Sequence, residues 1–232
     1  MKIYGAGSLE DIKKCIKLGI VGILTNPQGF DQYFKGKKTL KEITKEICNI
    51  TDLPVFIQIH GSCTDEIIER AHKLCTISPQ VGFKIISNEK GFFAISKLQK
   101  EGINCIATTL FTVSQASIAA CVGAFGICPF ISRSYMNGID PYRTIRYIKQ
   151  GYSQLGKAPE IIAVSLKNTG DIDNAISSGA DAIGLRYFLI KEMMEHPLSS
   201  KAEELFSKNW ANVKGEDISY MNYSIKETEI AE

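Results

Sequence analysis

Two hydrophobic rhythms alternate along this chain. Short runs of β-branched and aromatic residues give way repeatedly to longer stretches with apolar residues three or four apart. Runs at 2–6, 21–25, 54–60, 80–87, 103–108, 124–130, 160–165 and 181–185 are expected to be strands. Between them lie helical patterns. Ser8 opens the first, with Asp11 as its capping-box partner and Ile12, Cys15 and Ile16 on the apolar face. Residues 39–50 place Leu40, Ile43, Ile47 and Ile50 on one stripe. Thr64 is expected to cap a helix that buries Ile67, Ile68, Ala71, Leu74 and Cys75. Residues 89–101 and 114–122 follow, the latter stopping at Gly123. Asp140-Pro141 supplies an N-cap with proline in the first turn. Helices over 171–178, 188–195 and 200–210 complete the pattern.

Eight strands alternating with helices over one core-sized length predict an α/β chain folded as a (β/α)8 TIM barrel with an additional C-terminal helix. A doubly wound open sheet is the alternative. Residues 1–214 are expected to form a single domain. Residues 215–232, with five acidic side chains and few apolar ones, are expected to be a mobile tail.

Composition narrows the function. The 232 residues are 44% hydrophobic and 22% charged, with a net charge of +2. That balance gives no electrostatic case for nucleic acid or a membrane surface. No apolar run reaches the roughly 18 residues of a membrane span. The beginning of the chain turns polar at once, unlike a signal peptide, so a cytoplasmic protein is expected. The seven cysteines are odd in number, form no Cys-x-x-Cys pair and read as reduced core residues. His60, His72 and His196 are scattered and no glycine-rich nucleotide loop occurs, so neither a metal nor an organic cofactor is expected.

The candidate chemistry centres on Gln80-Val81-Gly82-Phe83-Lys84-Ile85-Ile86-Ser87. Lys84 interrupts a strand that is otherwise buried. Burial can depress a lysine pKa by roughly 3–5 units. That raises the fraction of free amine at neutral pH and prepares a Schiff base with a carbonyl substrate. The alternative is a lysine that snorkels to water. In a β/α barrel, chemistry sits where the strands end. Those ends carry Thr25 and Asn26, Gln58 and His60, Lys84 and Ser87, Thr108 and Thr109, Phe130, Ser132 and Arg133, Ser165, Lys167 and Asn168, and Arg186. Amines, carboxamides, hydroxyls and arginines at one mouth suit a hydroxylated carbonyl compound that carries an anion. Each taken alone could simply cap backbone at a strand end.

Several runs together resemble the small transaldolase and fructose-6-phosphate aldolase family. They are Gly22-Ile23-Leu24-Thr25-Asn26-Pro27, Phe83-Lys84-Ile85, Glu101-Gly102-Ile103-Asn104, Ser114-Gln115-Ala116, Pro129-Phe130-Ile131-Ser132-Arg133 and Ala163-Val164-Ser165-Leu166-Lys167-Asn168-Thr169. The resemblance implies a homo-oligomer, a pentamer or decamer, acting on a small sugar phosphate without a cofactor. It implies a Schiff-base Lys84, with Thr25 and Asn26 holding the hydroxyls of a dihydroxyacetone unit. Thr108 and Gln58 would position a proton-shuttling water, and Arg133 and Ser165 would take a phosphate. Gln58 matches the aldolases of the family and Phe130 the transaldolases. The expected activity is cleavage or formation of a ketose phosphate such as fructose 6-phosphate. Transfer of the three-carbon unit to an aldose phosphate is one alternative. The others are a catalytically weak sugar-phosphate-binding homologue and an aldolase that uses Lys167. The family's aspartate beside the lysine is replaced here by Ala6.

Overall fold

The computed structural model describes residues 1–29 and 36–210. Residues 1–193 form one unit and residues from Met194 onward a second. The expected tail, 215–232, lies outside the described residues. In the first unit eight parallel strands close into a barrel in chain order. They are β1 (Lys2–Ala6), β2 (Gly22–Leu24), β3 (Val55–Gln58), β4 (Val81–Ile86), β5 (Cys105–Leu110), β6 (Gly126–Pro129), β7 (Glu160–Ala163) and β8 (Ala182–Arg186). The connecting helices include α1 (Leu9–Lys17), α2 (Leu40–Asn49), α3 (Thr64–Cys75), α4 (Glu89–Lys100), α5 (Val113–Cys121), α6 (Ile131–Met136), α7 (Pro141–Tyr152), α8 (Thr169–Ser177) and α9 (Tyr187–Met194). The second unit contains α10 (Pro197–Trp210). Among the described residues no helix is long and apolar enough to cross a membrane.

Two local expectations are corrected. The N-cap of α3 is Cys63, not Thr64, and it makes no side-chain cap bond. The Thr64 hydroxyl instead donates to the Lys90 carbonyl at 3.2 Å. The C-terminal helix begins at Pro197, before Ser200, because the Leu198 N–H finds His196 Nδ1 at 3.2 Å. As expected, the sixth strand ends at Phe130, which is still extended and bridges Val164. Ser134 donates to the Phe130 carbonyl with both its N–H (3.1 Å) and its hydroxyl (2.7 Å), which closes the short helix α6.

Strand pairing fixes what fills the barrel. Alternate strands contribute alternate layers to the interior of such a barrel. At the base Lys2 and Glu160 pair at 2.8 Å across the β1/β7 side. The next layer is almost without side chains: Gly22, Gly82, Gly126 and Ala182. Above it lie Tyr4, Phe56, Ile106 and Ile162, all buried in one interior cluster. The two layers fit because the small one makes room for the large one. A Cβ at Gly82 would stand 2.7 Å from the Asn104 carbonyl and 2.8 Å from the Phe56 ring, and at Gly22 2.8 Å from the Tyr4 ring. Phe56 in turn stacks on Phe125 at 5.3 Å. This floor shuts the barrel from below, so chemistry is confined to the other end. Gly82→Ala should cost about 1–3 kcal/mol through overpacking. A shift of the urea unfolding midpoint measures it, and an unchanged midpoint would contradict this account of the floor.

Candidate active site

The layer above the floor is Leu24, Lys84, Cys128 and Gly184. Lys84 has the inward parity of Gly82 and Ile86 on β4 and is 4% exposed. Its ammonium donates to the Thr25 carbonyl at 3.1 Å. Among the described residues no carboxylate accompanies it. Burial pushes the amine below its ordinary range, opposed weakly by the Cys128 thiol. Desolvation lifts that thiol in turn to about 11. A charged amine among neutral groups is the costly form, so the local structure favours a free electron pair on Nζ. Such an amine can add to a ketone.

One layer further out stand Ala6, Gln58, Thr108 and Val164. Gln58 is the direct register partner of Lys84 on β3. Its side chain is half-buried, and its own N–H donates to the Thr25 hydroxyl at 3.0 Å. That hydroxyl donates to the Phe56 carbonyl at 3.2 Å. Thr25 therefore braces β2 against β3 with its hydroxyl and holds Lys84 with its carbonyl.

Thr108 is the most tightly positioned group of the mouth. Its carbonyl accepts from the Ser87 N–H (2.8 Å), the Ser87 hydroxyl (2.8 Å) and the Thr109 hydroxyl (2.5 Å). Gln115 extends the brace, donating to the Ser87 carbonyl at 3.0 Å and accepting from the Phe111 N–H at 2.9 Å. The Thr108 hydroxyl itself is fully buried and, among the described residues, has no hydrogen-bond partner of good geometry. Its neighbour is the Cys128 thiol, a weak partner at best. A buried hydroxyl left in that condition calls for a reason, and a reacting group beside it is one.

Two non-glycine residues at this end adopt left-handed backbone, Thr109 with φ 57° and Ser165 with φ 62°. For a β-branched threonine this is a true outlier. Thr109 coincides with a register slip on β5 between Ala107 and Leu110. The extra residue bends the strand where Thr108 must face inward. Strain of this kind persists only where the surroundings over-determine it, and it clusters at functional sites.

The outer rim is formed by Asn26, Ile86, Phe130 and Arg186. The Asn26 carboxamide oxygen accepts the Gly29 N–H at 2.7 Å, which leaves its own N–H donors for other partners. Phe130 packs edge-on against Phe111, with centroids 6.0 Å apart, and carries the Arg133 guanidinium 5.0 Å above its ring. Arg133 lies on α6 and is exposed. The Ser165 carbonyl takes the Ser132 N–H at 3.1 Å, so Ser165 and the start of α6 adjoin. Lys167 and Asn168 follow β7: Lys167 is exposed, and the Asn168 carboxamide oxygen caps α8. Ala6 pairs directly with Arg186 across β1 and β8.

Sequence reasoning missed Cys128 and the left-handed pair. Cys128 lies two strands from Lys84 and meets it only because the barrel closes. No residue type announces a left-handed threonine.

The family model "Transaldolase/Fructose-6-phosphate aldolase" matches residues 6–231. A "Probable transaldolase 2" of Listeria monocytogenes is 35% identical over 212 residues, 90% of this chain and 96% of that protein. A "Probable transaldolase" of Streptococcus agalactiae is 34% identical over 207 residues, covering 89% and 95%. Among solved structures, inosine 5'-monophosphate dehydrogenase from Legionella pneumophila superposes with a TM-score of 0.58 at 15% identity, over 82% of this chain and 58% of that one. At that identity the likeness speaks for the barrel alone.

Proposed function

We propose a reaction on one premise: the chain belongs to the transaldolase/fructose-6-phosphate aldolase family. It is accordingly an enzyme of carbohydrate metabolism, an aldolase or a transferase. The reading is that Lys84 attacks the ketone of a ketose phosphate, and loss of water gives the protonated imine. The carbon–carbon bond beyond the adjacent carbinol breaks, its electron pair flows into the imine, and an aldose phosphate leaves. A dihydroxyacetone unit stays on Lys84 as an enamine. The observation that carries this reading is a lysine on the inner face of β4, buried among neutral groups with its ammonium disfavoured.

Asn26 offers amide donors to the hydroxyls of that unit. Thr108 and Gln58 hold the water that carries protons, since a glutamine can orient water but cannot act as a base. Phe130 walls the mouth. Arg133 and Ser165 receive the phosphate, where a planar fork of donors suits its oxygens. The enamine then adds to a second aldose phosphate, as the names of the relatives suggest for them. Release to water is the second reading, and Gln58 favours it.

Purified protein with fructose 6-phosphate, with and without erythrose 4-phosphate, separates the two. A seven-carbon product supports transfer, and free dihydroxyacetone supports the lyase. Neither cleavage nor transfer, across a panel of ketose phosphates that includes bisphosphates, would sink the reading. Arg133→Ala should lower kcat/KM for phosphorylated aldehydes about 10–100-fold more than for unphosphorylated ones, the effect of one lost charged hydrogen bond. Equal losses for both would remove Arg133 from the anion site. The helix α10 exposes Leu205, Phe206 and Trp210, in keeping with a homo-oligomer. Light scattering that returned the mass of a single chain would overturn that assembly.

A further inference from the structure

The pairing of Ala6 with Arg186 creates a feature that the proposed reaction leaves unused. Both residues have inward parity. Ala6 follows Tyr4 on β1, and Arg186 follows Ala182 on β8, where Tyr4 and Ala182 are interior residues. Arg186 is half-buried, yet among the described residues its guanidinium has no carboxylate and no hydrogen-bond acceptor. An inward-facing guanidinium without a protein partner keeps its donors for a ligand. Nor does any inward strand-end position at this mouth carry an acid. The nearby Asp11 caps α1 by accepting the Ser8 N–H at 3.1 Å, and Asp171 accepts the Lys167 N–H at 2.9 Å. Among the described residues the β8/β1 side of the rim is thus cationic and uncompensated. Arg133 belongs to a different element, standing on α6 after β6 and over Phe130, whereas Arg186 ends β8.

We infer that Arg186 forms a second anion subsite at the donor end of the pocket, so that the preferred donor is a ketone carrying a phosphate ester, and the whole substrate a ketose with a phosphate at each end. The inference rests on the Schiff-base reading of Lys84 but not on which acceptor takes the unit. Ala6 is part of the device. An acid at that position would sit directly across the strand pair from Arg186 and neutralise it; alanine leaves the guanidinium open and adds no bulk. Among possible anions the spacing favours a phosphate ester over a carboxylate. Gly184 shares the lysine's layer and Arg186 stands two residues further along β8, roughly 6–7 Å further out by strand rise, which suits an anion several bonds from the ketone carbon better than a carboxylate bonded directly to it. A phosphate on the terminal carbon extends several bonds further. Arginine meets it with two parallel donors.

The test is borohydride trapping on the full chain, with labelling of Lys84 read by peptide mass mapping over a range of ketone concentrations. The probes are dihydroxyacetone phosphate, dihydroxyacetone and pyruvate. Dihydroxyacetone phosphate should half-saturate Lys84 at a concentration about tenfold or more below that of dihydroxyacetone, the scale of one charged hydrogen bond. Arg186→Gln should shrink that preference by about tenfold, and Ala6→Asp should shrink it in the same direction by pairing with Arg186. An undiminished preference in Arg186→Gln would overturn the inference. So would a preference abolished by Arg133→Ala but not by Arg186→Gln, or pyruvate as the best probe. In each of these cases the labelled Lys84 would leave the Schiff-base reading standing. No label from any of the three would bring down that reading and the inference together.

Discussion

Lys84→Met should abolish turnover, by at least about 10⁴-fold, while making the protein more stable at neutral pH. The loss of rate follows from removal of the nucleophile; losses of this size or larger attend such knockouts in other covalent enzymes. The gain in stability follows from the surroundings. Leu24, Cys128 and Gly184 share the lysine's layer, and among the described residues its one hydrogen bond goes to the Thr25 carbonyl. The folded pKa is lowered by burial, whereas the unfolded value is about 10.4. Between those two values the unfolded chain binds more protons than the folded one, so wild-type stability rises with pH across that window. Below the lowered folded value the wild type carries the whole burden of a buried charge. Methionine carries none at any pH. The advantage of the variant in thermal midpoint should therefore be largest at acid pH and shrink as pH approaches about 10. A variant less stable than wild type at pH 6–7 would show that the ammonium is well accommodated and would contradict the proposed activation.

Thr108→Val should cut kcat/KM by about 10²-fold, the lower end of what positioned proton transfer contributes, with no loss of stability. The two halves belong together. The hydroxyl is buried and, among the described residues, has no partner of good geometry, so the folded protein gains little from it and carries its desolvation. The bonds that hold this residue in place run to its carbonyl, from Ser87 and Thr109, and valine leaves them intact. Steady-state kinetics beside a urea unfolding curve measures both. An unchanged rate would exclude Thr108 from the chemistry. A large loss of stability would mean that the hydroxyl serves the fold.

Much of this was legible in the chain itself. The alternation of apolar rhythms predicts eight strands and a closed barrel, and Lys84 stands out because it is the one cation inside a β-branched and aromatic run. The strand-end rule then gathers Asn26, Gln58 and Thr108 around it. What stayed hidden depends on backbone and on closure. Thr25 acts on Lys84 through its carbonyl, a group every residue has. Asn168 reads as a strand-end residue, and only the structure shows its carboxamide oxygen capping α8. The Ala6–Arg186 pair depends on β8 closing against β1, a contact between residues 180 positions apart in sequence.

The central claim is that Lys84 forms a covalent imine with the substrate. Borohydride reduction during turnover of a ketose phosphate, followed by peptide mass mapping, tests it directly. The account predicts a stable secondary amine on Lys84, carrying either the three-carbon unit or the whole sugar. A label on Lys167, or turnover with no trapped lysine at all, would contradict it.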